Sequence, residues 1–108
     1  MSKKFSIVIP SFNNINYLKL CIESILRNSS TSHQLIIHIN GVDEDTELFL
    51  HQKKISYTKT INNVGLCSGV NLAAKKAETN YILYAHDDMY FLPNWDTQLD
   101  DEVKKFNH

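Results

Sequence analysis

Apolar positions along the chain take two forms, short unbroken runs and looser series at helical spacing, and the two forms alternate. Residues 5–10, "FSIVIP", are a continuous β-branched run closed by proline, as expected of a strand buried on both faces. From Ile15 the apolar positions Leu18, Ile22, Ile25 and Leu26 recur at helical spacing, with Asn13 or Asn14 as N-cap and "NSSTS" as the exit. A second strand, "QLIIHIN" at 34–40, ends in Asn-Gly, and "DEDTELFLHQ" then puts acids into the first turn of a short helix, where the helix dipole favours them. "ISYTKTI" at 55–61 alternates and is rich in β-formers, so it predicts a third strand. Leu66, Val70, Ala73, Ala74 and Ala77 mark one face of a third helix, approached through Asn63-Val64-Gly65. Residues 81–85 are a fourth strand and 96–106 a more polar fourth helix.

Strands alternating with helices imply parallel βαβ units, which cross over with a right-handed sense. The predicted fold class is α/β, a doubly wound, mostly parallel sheet in one domain spanning 1–108. In such sheets ligands bind outside the carboxyl ends of the strands, near the point where strand order reverses. Those ends carry Pro10-Ser11-Phe12-Asn13, Asn40-Gly41, Asn62-Asn63-Val64-Gly65 and His86-Asp87-Asp88.

Composition narrows the function. Hydrophobic residues are 43% and charged residues 21% of the chain, which is ordinary globular usage and argues against disorder. Eleven basic against twelve acidic side chains give a net charge of -1, and the lysines fall in scattered pairs (Lys3-Lys4, Lys53-Lys54, Lys75-Lys76, Lys104-Lys105), so a nucleic-acid-binding face is not expected. No apolar run approaches roughly 18 residues and no signal-peptide series opens the chain, which makes the cytoplasm the expected compartment. Cys21 and Cys67 lie far apart inside helical patterns, neither a disulfide framework nor a metal spacing. Both are expected to be reduced thiols with packing roles, although Cys67 falls near a helix N-terminus, where a thiolate would be stabilised.

The chemistry concentrates at the last strand end. Adjacent carboxylates repel, and a divalent cation taking hard oxygen ligands relieves that repulsion, which makes Asp87-Asp88 a candidate metal site. Mg²⁺ is held by one or two carboxylates plus waters and phosphates, and Mn²⁺ also tolerates an imidazole such as His86. The bland alternative is a loop-capping Asp beside a solvated one. The Asn-x-Gly approach to the third helix offers free N–H groups and a positive dipole end suited to phosphate, or is simply a turn. Asn71, inside that helix, is either an exposed neutral residue or one with a ligand-binding or loop-fixing role. Asp43, Glu44, Asp45 and Glu47 read as a helix cap and first turn. His33, His38, His51 and His108 show no metal-ligand spacing and are assigned no function.

Three stretches together carry a family pattern. "FSIVIPSFNNINYLKLCIESIL", "NVGLCSGVNLAAKKA" and "NYILYAHDDMYFLPNW", in that order and spacing, make the chain resemble the N-terminal, nucleotide-sugar-binding half of family 2 glycosyltransferases with the Rossmann-like GT-A fold, over essentially its whole length. The resemblance implies that Pro10, Ser11, Phe12 and Asn13 line a nucleotide pocket, with Phe12 against the base. It puts Asn40 where an acidic residue commonly meets the base or ribose, and Asn63, Gly65 and Asn71 beside the nucleotide. Asp88 matches the last Asp of a DxD-like motif that binds Mg²⁺ or Mn²⁺ bridging the diphosphate, with Asp87 next to the substrate and His86 sharing the metal. The implied partners are a nucleoside diphosphate sugar and a sugar or glycolipid acceptor, a polysaccharide or lipid-linked oligosaccharide by the family's habits, which would put the protein at the inner face of the membrane.

The chain departs from that pattern in three places. His86 occupies the first Asp position of DxD, Ile39-Asn40 replaces an acidic pair and removes a carboxylate acceptor for base or ribose, and Val70 replaces a common Arg. In inverting relatives the acceptor site and general base lie well downstream, and no residue here is a credible base. The expectation is therefore a donor-binding part, shorter than a complete enzyme, which binds but does not transfer, with an uncovered sheet edge that favours self-association. The same departures also fit a non-catalytic binding or assembly module. A phosphotransfer receiver domain is disfavoured, because it needs an acidic cluster after the first strand, where this chain has Pro10-Ser11-Phe12-Asn13.

Overall fold

The computed structural model describes residues 4–106. Lys3 and His108, named above, lie outside them. The element order is β1 (Ser6–Ser11), α1 (Ile15–Asn28), β2 (Gln34–Asn40), α2 (Glu44–Lys53), β3 (Ser56–Thr60), α3 (Gly65–Ala74), β4 (Ile82–Tyr84) and α4 (Trp95–Phe106). The strands form one sheet in the order β3-β2-β1-β4, every pair parallel. The chain steps outward from β1 to β3 and returns with β4 on the other side of β1, so strand order reverses between β1 and β4.

Both faces of the central strands are covered, which is why they read as unbroken apolar runs. Because side chains alternate along a strand, Ile7, Ile9, Leu35, Ile37 and Ile39 pack with Leu18, Cys21, Ile22 and Ile25 of α1 and with Phe49 and Leu50 of α2. Val8 and Ile36 point the other way, against Ala73, Val70, Ala74 and Ala77. Leu26 departs from its expected place: it is 61% exposed, one step past the buried stripe that Ile25 closes.

The element boundaries move by a residue or so for local reasons. β4 is shorter than 81–85, yet its flanks still pair with β1, Tyr81 accepting from Ser6 N–H and Ala85 N–H donating to Val8. α1 starts after Asn14 without a side-chain cap bond, and Asn13 has φ 48°, a left-handed turn position that Asn tolerates better than most residues. α2 is capped as expected, the Asp43 carboxylate accepting from Thr46 N–H at 3.1 Å and from its hydroxyl at 2.7 Å.

The segment after β4 is fastened to the end of α1. Phe91 N–H donates to Ser24 Oγ (2.9 Å), Asn28 Nδ2 donates to Phe91 O (2.6 Å), and Asn94 N–H donates to Asn28 O (2.8 Å). Asp96 then accepts from the backbone N–H of Ser30 and Thr31 and from both their hydroxyls. These bonds hold the far end of the loop that leaves β4. Among the described residues no helix is long and apolar enough to cross a membrane.

Candidate functional site

The reversal between β1 and β4 leaves a cleft at their carboxyl ends. It measures about 260 Å³ and is lined by Pro10, Ser11, Phe12, Asn14, Asn40, Asn63, Gly65, Leu66, His86 and Asp87. Eight of the residues singled out in the sequence meet there, drawn from four separate strand ends. Asn13, Asn71 and Asp88 are exposed and do not line it. Asn14 and Leu66 line it without having been predicted; each is the immediate chain neighbour of a predicted residue, and that adjacency was the available signal.

Each wall has a local cause. The Asp87 carboxylate accepts from Ser11 Oγ at 3.0 Å, tying the end of β1 to the loop after β4. That loop turns tightly, with Met89 N–H donating to His86 O at 3.3 Å, and Cys21 of α1 donates to the same carbonyl at 3.6 Å. Burial, reinforced by the charges of Asp87 and Asp88, pushes the Cys21 thiol up to about 12, so Cys21 is an inert hydrogen-bonding post and not a nucleophile. The His86 ring stands edge-on to Tyr84, with centroids 4.9 Å apart.

On the opposite wall Asn40 and Asn63 work on the backbone. Asn40 Oδ1 accepts from Val64 N–H (3.3 Å) and Asn63 Oδ1 from Gly65 N–H (2.9 Å), so both amides shape the turn into α3. Gly65 has φ 84°, a conformation open to glycine, and nothing lies within 4 Å of where a Cβ would stand. Gly41 lies beneath Phe12, where a Cβ would come 3.5 Å from Phe12 Cε1. Phe12 itself is 52% exposed, a ring available for stacking.

The expectation for the thiols is half corrected: Cys21 is buried, whereas Cys67 is exposed on the first turn of α3 and packs no core. The histidines passed over in the sequence have structural partners, His33 with Asp96 and His38 with Thr58 and Thr60. Among the described residues no group of three or more His, Cys, Asp or Glu side chains is gathered as a ready metal cage.

The same architecture occurs in solved structures. Residues of this chain superpose on Staphylococcus aureus TarS 1–349 with a TM-score of 0.78 at 20% identity, covering 97% of this chain and 33% of that one. On the complex of TarS 1–349 with UDP the TM-score is 0.82 at 16% identity, covering 94% of this chain and 32% of that one. Among curated proteins, an uncharacterized glycosyltransferase of Rickettsia bellii is 32% identical over 101 residues, which is 89% of this chain and 14% of that protein. Protein CgeD of Bacillus subtilis is 26% identical over a gapped alignment of 119 positions, which covers all of this chain and 27% of its own length. The chain thus spans under a third of these relatives. Residues 6–108 match the sequence model of the family described as glycosyl transferase family 2, and the chain belongs to that family.

Proposed function

We propose that the chain is the donor-binding part of a glycosyltransferase that transfers a sugar from a nucleoside diphosphate sugar to an acceptor hydroxyl with a divalent metal. The observation that carries this reading is the cleft at the β1/β4 reversal, which a carboxylate, an imidazole, three Asn residues and a glycine turn line together. Family membership supports it, as does the fold shared with a protein solved in complex with UDP.

In this reading Phe12 stacks on the base, and Asn40 stands by the ribose while it also holds Val64. The turn at Asn63 and Gly65 presents the start of α3 to the diphosphate, where N–H groups and the helix dipole favour negative charge. Asn13 and Asn71, both outside the cleft lining, would reach the nucleotide only at its rim. The metal-binding residues would be Asp88 and His86, with Asp87 beside them. A site poor in protein ligands fits Mg²⁺ or Mn²⁺, which accept one or two carboxylates and take their remaining ligands from phosphate and water. When bound, the cation supplies Lewis-acid neutralisation of charge on the departing nucleoside diphosphate. Ser11 holds Asp87 in place for this work.

Titration calorimetry of UDP, GDP and dTDP, with and without Mn²⁺, tests the reading, with Asp87→Ala and Asp88→Ala as variants. Binding that needs both metal and carboxylate is expected, without sugar transfer by the isolated chain. Absence of metal-dependent binding to all three nucleotides would overturn it in favour of an assembly module. We infer further that the isolated chain self-associates through β4, an edge strand with Ile82 and Tyr84 51% and 40% exposed. Sedimentation should show a concentration-dependent oligomer that Ile82→Lys abolishes; a monomer at all concentrations would refute it.

A further inference from the structure

β2 carries an imidazole where packing alone asks for another aliphatic side chain. His38 is 0% exposed and lies on the α3 face of the sheet, so close beneath the helix that a Cβ on Gly69 would come 2.8 Å from its Cδ2. Both ring nitrogens are engaged, Nδ1 with Thr58 Oγ1 at 2.7 Å and Nε2 with Thr60 Oγ1 at 3.3 Å.

The directions of these bonds follow from proton counting. Thr60 spends its one hydroxyl proton on Asn62 O, at 2.7 Å. Its oxygen can therefore only accept from His38, so Nε2 carries the ring proton. In a neutral imidazole Nδ1 is then an acceptor, and the Thr58 hydroxyl donates to it. Burial lowers the His38 pKa against a smaller opposing pull from Asn40, which favours that neutral ring.

We propose that His38 is a positioning residue for the cleft: locked as the Nε2–H tautomer, it passes a one-way series of hydrogen bonds from Thr58 through Thr60 to Asn62, and so holds the turn 62–65. Asn63 and Gly65 of that turn line the cleft. Two further bonds, Asn40 to Val64 and Asn63 to Gly65, act on the same four residues. The ring also sets the height of α3, because Gly69 rests against it. His38 is not among the residues that line the cleft; it acts on the turn through Thr60. The consequence for nucleotide affinity rests on the donor-binding reading above, whereas the hold on the turn does not.

Thr60→Val in the 108-residue chain removes the hydroxyl and keeps the shape, and Thr60→Ser restores the hydroxyl. Amide exchange at Val64 and Gly65 should quicken about tenfold in Thr60→Val and return to near wild type in Thr60→Ser. The UDP dissociation constant should rise about tenfold and recover in the same way. Long-range ¹⁵N–¹H spectra of the wild-type chain should show His38 protonated on Nε2 and bare on Nδ1. Wild-type exchange and affinity in Thr60→Val, or a proton on Nδ1, would overturn the proposal. If the wild-type chain binds no nucleotide while the turn loosens in Thr60→Val, the donor reading fails and the positioning role stands. Should Thr60→Val not fold, the wild-type tautomer decides.

Discussion

His33 Nε2 and Asp96 Oδ2 lie 2.7 Å apart with their side chains only 1% and 2% exposed, joining the start of β2 to the start of α4. His33 Nδ1 accepts from Phe5 N–H at 3.3 Å, so Nε2 bears the proton that faces the carboxylate. Trp95 and Phe5 flank the imidazole, each with its ring centroid 5.2 Å away. A buried carboxylate is tolerable here because two backbone N–H groups, two hydroxyls and an imidazole satisfy it.

Removing that carboxylate strands its donors in a buried site. Asp96→Ala should cost about 3–5 kcal/mol, since breaking one partner of a buried hydrogen-bonded pair leaves the others uncompensated. Urea unfolding followed by circular dichroism measures this, and a loss below about 1 kcal/mol would show that α4 contributes little to the fold.

The same carboxylate should make the chain acid-sensitive. Burial alone would raise the Asp96 pKa, but the bonds from Ser30, His33 and Thr31 outweigh it and hold the group well below the usual carboxylate range. A folded-state pKa below the unfolded one means that the unfolded chain takes up the proton first. The stabilisation is therefore complete above about pH 4 and is lost as pH falls below that value. The urea midpoint should drop as pH falls from about 4 to about 2, and Asp96→Asn should flatten that drop; identical slopes would assign the acid sensitivity to other groups.

Gly69 and Gly65 should respond to alanine for different reasons. At Gly69 a methyl group meets the His38 ring, which two hydrogen bonds hold in place, so overpacking of about 1–3 kcal/mol competes with a helix-propensity gain of about 1 kcal/mol. A net loss of about 1–2 kcal/mol in urea unfolding is expected. Unchanged or raised stability would mean that α3 can lift away from β2 without penalty.

At Gly65 the space is open and only the backbone objects, with φ 84° costing a non-glycine residue about 1–2 kcal/mol. On the donor-binding reading proposed above, Gly65→Ala should therefore shift the turn into α3 and weaken nucleotide binding by more than its modest effect on stability accounts for. Calorimetry and unfolding of the same preparation make that comparison.

The two thiols should separate cleanly. Cys67 is exposed, whereas Cys21 is buried and its thiol is pushed up to about 12 by burial and by Asp87 and Asp88. At pH 8 a disulfide reagent should modify one thiol per chain quickly and the second at least about a hundredfold more slowly until denaturant is added. Two equally fast thiols would contradict the burial of Cys21.

The linear chain was sufficient to determine the alternating elements, the parallel sheet and the neighbourhood of the cleft. Hydrophobic period reports burial on one or two faces, and a doubly wound sheet brings strand ends together whatever their distance in sequence. Hence Ser11, Asn40, Asn63 and Asp87, which span most of the chain, could be named together as one site. What the tertiary structure alone decided were the pairings that depend on register and side-chain direction. Ser11 reaches Asp87 and leaves Asp88 outside the cleft, His38 and Asn40 share the face beneath Gly69, and Asp96 turns inward to His33. A polar residue in sequence carries no sign of whether it meets water or a partner; only the packed fold removes the water and shows which donor replaces it.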